Sequence, residues 1–166
     1  VRDTWTQFSY FGQAVILLLI QVGGLGLVTL TSFFALAMRR RMGFRDLRLM
    51  GESVSADGYA QAKEVLKTVV GLAALFEGIG ILLLLFAFVP QFGLEGIWVS
   101  VFTAISAFCN AGFDLFGRFG QYSSLVPYVN NYYVQTIIMF MIIAGGLGFM
   151  VWVEIGQFHK KHRLSL

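Results

Sequence analysis

Charge is what this 166-residue chain has least of. Only 13% of its residues are Asp, Glu, Lys or Arg, while 57% are hydrophobic and 16% aromatic, and the mean hydropathy is +0.75. Soluble domains carry about 25% charged residues, so that class is excluded. Residues 11–38 carry no charge, residues 68–94 only Glu77, and residues 119–153 none. Each run outlasts the roughly 20 helical residues that cross a hydrocarbon core. Cysteine is almost as scarce: the single Cys109 excludes an internal disulfide and says nothing of redox compartment. Catalytic groupings are lacking too, since no Ser-His-Asp, Cys-His or paired-carboxylate pattern is placed for chemistry. The chain reads as a non-enzyme. His159 and His162 lie three apart, but their basic surroundings repel a cation and no third ligand stands near. No low-complexity segment is present.

What remains is an apolar chain with basic punctuation. The first run is too long for a signal peptide, and its basic cluster follows the apolar part, so it reads as a retained span. The chain starts at Val1 and enters a helix almost at once, which predicts a fragment of something longer. Basic residues gather at Arg39, Arg40, Arg41, Arg45 and Arg48, and again at Lys160, Lys161 and Arg163. Beside apolar spans these anchor the cytoplasmic side of a lipid bilayer and do not indicate nucleic acid.

The stretch FTAISAFCNAGFDLFGRFG, residues 102–120, is apolar but short. Were residues 96–113 a full crossing, the two basic clusters would lie on opposite faces. A segment that dips in and returns keeps both cytoplasmic, as the positive-inside rule prefers. An internal repeat agrees. An offset of 122, the distance from Gly23 to Gly145, pairs Gly23-Gly24-Leu25-Gly26 with Gly145-Gly146-Leu147-Gly148, Tyr10 with Tyr132 and Gln13 with Gln135. The same register pairs Arg39-Arg40-Arg41 with Lys161-His162-Arg163. Parallel repeats need one crossing between them, which residues 68–89 supply. The expected fold is an all-α membrane protein: three transmembrane helices plus one re-entrant half-helix with an extended return. Its parts are a closing helix (1–41), a cytoplasmic linker (42–62) and a helix, pore loop, helix unit (63–166). Ser55-Ala56-Asp57-Gly58 reads as a turn before the second span.

Within the dip, Ile97, Val101, Ile105 and Phe108 form one face, and Thr103, Ser106 and Asn110 a narrow polar line on another. A helix from Ile97 to Phe108 covers about 18 Å and ends near the bilayer middle. Its carbonyl end suits a cation and is tolerated only beside protein or a water-filled cavity. Cys109, Asn110, Ala111 and Gly112 are small, and Gly112 can adopt backbone angles closed to other residues. That fits an ion-selectivity filter built of backbone oxygens, and equally a loop that fills space between helices.

SAFCNAGFDLFG at 106–117, with QVGGLG at 21–26 and GGLGF at 145–149, resembles the Trk/Ktr/HKT superfamily of potassium transporters, closest to membrane subunits of the KtrB (NtpJ) type. The resemblance covers nearly the whole chain. It implies four helix, pore-loop, helix units around one pore, of which this chain carries the end of the first and all of the second. Gly112 matches the second unit's filter glycine, Asn110 and Ala111 match residues whose carbonyls would coordinate potassium, and Cys109 and Phe113 flank the strand. The first pore loop and the third and fourth units, with the gating segment of the third, are missing. The resemblance further implies a potassium ion as substrate, no cofactor, a bacterial plasma-membrane location and a homodimer. A cytosolic ring of nucleotide-binding regulatory subunits would face the basic linker and tail.

Other residues have plainer readings. Glu77 lies inside a span, where a carboxylate is costly; Gly78 and Gly80 beside it favour close packing, with Glu77 paired to a neighbouring helix or protonated. Glu154 reads as snorkelling to the interface. Asp114 either attracts cations or caps local amides. The glycines of the two GGLG motifs sit in uncharged runs and fit helix packing better than phosphate binding. The rival to a transporter is a non-conducting membrane scaffold whose re-entrant loop packs helices.

Overall fold

The computed structural model describes residues 2–39, 54–147 and 151–152. Every regular element among them is helical: α1 (Thr4–Gln7), α2 (Tyr10–Arg39), α3 (Val54–Phe92), α4 (Glu95–Phe108) and α5 (Tyr132–Gly146), with 3-10 turns at Phe116–Phe119 and Val126–Tyr128. Arg40 to Arg48, Glu154, His159, Lys160 to Arg163 and Gly148 lie outside the described residues. The chain divides into two compact units, one of residues 1–24 and 73–147, the other of residues 25–72 and 148–166. The second unit holds the rest of α2 and the start of α3.

The stretch Lys67–Phe92 within α3 runs 26 residues with mean hydropathy 2.5, which is long and apolar enough to cross a bilayer. One expectation is corrected. Ser55 to Gly58 form no turn; they belong to the first turn and a half of α3. Ser and Asp mark turns because their side chains engage nearby amides, and a helix N-terminus offers the same amides.

In the first unit, α3 ends at Phe92 and Gly93 reverses the chain with φ +62°, the left-handed C-terminal stop that glycine provides. Then α4 folds back, and Gly96 lets it lie against the Phe88 carbonyl, where a Cβ would not fit. Beyond α4, the return segment is pinned by Phe116, which is fully buried. Its ring meets Phe88 at 5.6 Å and Tyr128 at 5.2 Å. Glu77 is buried and accepts from Gln21 Nε2 at 2.9 and 3.0 Å, so α2 and α3 are cross-linked by a polar pair. Gly80 meets Met141 of α5, whereas Gly78 faces open space.

The repeat register reappears in local geometry. Ser9 and Asn131, 122 apart, cap α2 and α5, accepting from the amides of Gly12 (3.3 Å) and Val134 (3.2 Å). Gln13 and Gln135 each reach back before their helix, Gln13 Nε2 to Phe8 O (3.1 Å) and Gln135 Nε2 to Val129 O (2.6 Å).

Candidate functional site

The site is built at the end of α4. This 14-residue helix spans about 21 Å and stops at Phe108, the residue at which the apolar periodicity ends. Its termination is a Schellman motif with Asn110 in the left-handed position, φ +54°. The Asn110 amide donates to Ala107 O (3.1 Å) and the Ala111 amide to Ser106 O (2.9 Å), while Cys109 N reaches Ile105 O (2.9 Å). Asn tolerates that conformation better than other side-chain-bearing residues. The last turn's carbonyls are thus largely satisfied within the chain, which corrects the expectation of unpaired helical carbonyls. Whatever backbone is offered to a ligand begins after Cys109.

Gly112 follows with φ +75°, and apart from Asn110 no other residue from 109 to 114 has a positive φ. A Cβ at Gly112 would meet nothing within 4 Å, so its requirement is conformational. Residues 111–114 form no regular secondary structure. The segment is tied back to α4 by Ser106 Oγ, which donates to Phe113 O at 2.5 Å. Asp114 Oδ1 accepts from the Phe116 amide at 2.9 Å and so caps the following 3-10 turn, one of the two roles open for it. Phe113 is exposed, and Cys109 is half-buried.

Both GGLG motifs close on this point. A Cβ on Gly24 of α2 would lie 2.6 Å from Cys109 Sγ, and one on Gly145 of α5 would collide with Phe108 O. Asn110 Nδ2 also donates to Ile142 O of α5 at 3.3 Å. Gly23 and Gly26 face open space. The end of α4 is therefore held by small residues from two helices.

Both faces of α4 are mixed in burial: of the polar line Thr103 and Ser106 are buried and Asn110 is exposed, and of the apolar face Phe108 is buried and Ile97 exposed. Thr103, Ser106, Asn110, Gly112 and Asp114 line a cavity of about 190 Å³ bounded on its far side by α5.

Sequence reasoning passed over a second cluster. The Arg118 guanidinium stacks between Trp5 (4.5 Å to the ring centroid) and Phe92 (4.3 Å) and pairs with Glu95. Glu95 also accepts from Tyr10 Oη at 3.2 Å. Arg118, then Tyr10, hold the Glu95 carboxyl below its usual range. Asp3 caps α1 through Thr6 N (2.9 Å) and accepts from Tyr122 N at 3.0 Å. Burial raises the Asp3 pKa, but the amides of Tyr122 and Thr6 outweigh it and the net shift is downward. The one available signal was that the segment between Glu95 and Arg118 carries a single other charge, Asp114.

The sequence matches known proteins. A family model described as TrkH, cation transport protein, matches residues 1–165. The potassium/sodium uptake protein NtpJ of Enterococcus hirae is 34% identical over 165 residues, 99% of this chain and 36% of that protein. Ktr system potassium uptake protein B of Bacillus subtilis is 36% identical over 167 residues, covering 100% of this chain and 36% of the relative. Ktr system potassium uptake protein D of Bacillus subtilis is 33% identical over 166 residues, 98% of this chain and 36% of that protein. The chain spans about a third of the length of these curated relatives. It belongs to the TrkH family of cation transport proteins.

Proposed function

We propose that this chain is part of the pore-forming subunit of a potassium uptake transporter and supplies one strand, Asn110 to Gly112, of a backbone-carbonyl filter. The observation that carries the reading is the hand of the backbone: positive φ at Asn110 and Gly112 with none at Ala111 or Phe113. Alternating hand turns successive peptide groups the same way, with the amides toward one edge and the carbonyls toward the other, and a row of carbonyls replaces a cation's hydration shell. The names of the relatives, potassium uptake proteins, point to the same cargo. Cys109 and Phe113 flank the strand. With one strand of four, selectivity requires the units that the longer relatives would supply.

In this reading α2, α3 and the helix beginning at Tyr132 span the bacterial plasma membrane, and α4 enters and returns on the outer side. The chain's segments are then a closing helix (1–41), a linker (42–62) and a complete unit (63–166). The basic linker and tail lie in the cytoplasm, where a nucleotide-binding regulatory ring would dock on a homodimer.

Gly112→Ser in the full-length protein tests the filter. A side chain at φ +75° costs roughly 1–2 kcal/mol of backbone strain, which the strand relieves by moving, so K+ affinity falls or Na+ enters. Flux of both ions into vesicles, and growth on limiting potassium, read the outcome. Unchanged selectivity and growth would refute the filter. The scaffold reading draws on the tight seating of the α4 end against Gly24 and Gly145. It expects the same variant to lower assembly while leaving selectivity alone.

A further inference from the structure

The 122-residue register makes α2 and α5 two copies of one helix, yet the copies are covered on opposite sides. In α2 the covered stripe runs through Gln13, Leu17 and Gly24. Gln13 Oε1 accepts from Trp98 Nε1 of α4 at 2.8 Å, Leu17 is 9% exposed, and a Cβ on Gly24 would press on Cys109 at the end of α4. The equivalent stripe of α5, Gln135, Met139 and Gly146, is open. Met139 is 53% exposed, and a Cβ on Gly146 would have only Asn110 Nδ2 near it, at 3.9 Å. A second stripe shows the reverse. In α5, Met141 is 1% exposed and meets Gly80, and Gly145 is closed by the Phe108 carbonyl. In α2 the equivalents are uncovered: Leu19 is 67% exposed and Gly23 faces open space. The second glycine of one motif and the first glycine of the other are therefore filled, and α4 fills both.

We propose that the open stripe of α5 docks a second helix like α4, supplied by another unit of the longer protein. Each GGLG motif then grips two such helix ends, one on each of its first two glycines, where the missing side chain allows close approach. The occupant is argued from the copy. On α2 this stripe takes a short apolar helix that brings an N–H donor near its start and a small residue at its end. The same fittings stand on α5. Gln13 and Gln135 both spend their amide nitrogen on the backbone before their helix, which leaves Gln135 Oε1 as the acceptor that Gln13 Oε1 is for Trp98. Tyr132 is exposed where Tyr10 donates to Glu95. Lipid tails would offer Gln135 no donor. Chain to fill the stripe exists in the relatives, of whose length this chain covers 36%. The docking rests on the multi-unit reading above, but not on the filter chemistry.

The test uses the full-length protein. Photoreactive p-benzoylphenylalanine in place of Met139, irradiated in the membrane, should cross-link to a segment outside residues 1–166, identified by mass spectrometry in product that runs at monomer size. Cross-links confined to lipid, to residues 1–166 or to a partner subunit overturn the proposal. The sign of the Gly146→Ala effect is a second reading. On an uncovered helix face Ala is favoured over Gly, so an unchanged or higher melting temperature also overturns it. With a helix seated there, Gly146→Ala should melt several degrees lower, as expected of Gly145→Ala. If Gly146→Ala does not assemble, the Met139 cross-link still decides. Failure of the filter reading looks different: the cross-link lands as expected, yet Gly112→Ser leaves selectivity unchanged.

Discussion

Asn110 and Gly112 both adopt left-handed backbone, but for different reasons, and substitutions separate them. Gly112 needs the conformation alone, because a Cβ there meets open space. Asn110 adds two side-chain contacts, its amide donating to Ile142 O (3.3 Å) and at the limit of range to Phe108 O (3.4 Å). Asn110→Asp keeps the shape and the tolerance for φ +54° but turns a donor into an acceptor facing two carbonyls. It should destabilise by about 1–3 kcal/mol, read as a lower apparent melting temperature in detergent. Asn110→Gly removes the contacts without the repulsion and should cost less. Equal losses in the two variants would mean the amide contributes nothing. At this scale the sequence was partly legible. The small residues at 109–112 marked where the helix stops, and Gly112 marked a positive φ. The second positive φ and the Schellman bonds were hidden, because Asn at that spacing also read as one more member of the polar line with Thr103 and Ser106.

Among the elements, the decisive contact is the end of α4 between α2 and α5. The packing reading of the two GGLG motifs holds for Gly24 and Gly145 but not for Gly23 and Gly26, and the 122-residue offset correctly paired the starts of α2 and α5. What they pack against was not legible, since nothing local in either motif points to residues 108–109. The two clamps differ in what they touch. Gly24→Ala would press on Cys109 Sγ and Cβ, at 2.6 and 2.8 Å, whereas Gly145→Ala would press on the backbone carbonyl of Phe108. Overpacking of this kind costs about 1–3 kcal/mol. Cys109→Ala removes the sulfur and should restore part of the Gly24→Ala loss while leaving Gly145→Ala unrepaired. A double-mutant cycle on apparent melting temperature measures this, and equal rescue of both glycine variants would sink the assignment. The missed start of α3 has a similar origin: Ser55 and Asp57 serve a helix N-terminus as well as a turn, and residues 55–58 alone do not choose.

Across the first unit, one cluster joins segments far apart in the chain. Asp3, at the N-terminus, receives the Tyr122 amide, Gly117 packs so closely on the Asp3 carboxylate that a Cβ would collide, and Tyr10 and Arg118 converge on Glu95. The segment preceding α2, the turn between α3 and α4 and the segment beyond residue 114 are therefore joined by two carboxylates, and both titrate below their usual values of 4.5 for Glu95 and 3.8 for Asp3. A depressed carboxylate contributes stability that is fully present above its unfolded pKa and is lost as the pH falls through the folded one. Stability should hold above about pH 5 and decline in acid as the two carboxylates are protonated. Glu95 is solvent-exposed, so salt should weaken its share. In Glu95→Gln part of the acid decline should vanish at low ionic strength, leaving the Asp3 part; Asp3→Asn should remove that part and also loosen α1, whose cap it provides. Melting curves in detergent between pH 3 and 7, at about 0.05 and 0.5 M salt, resolve the two contributions. An acid limb identical in wild type and Glu95→Gln would show that the Arg118 pairing does not tie the segment beyond residue 114 to α4, leaving the stacking on Trp5 and Phe92 as the contribution of Arg118.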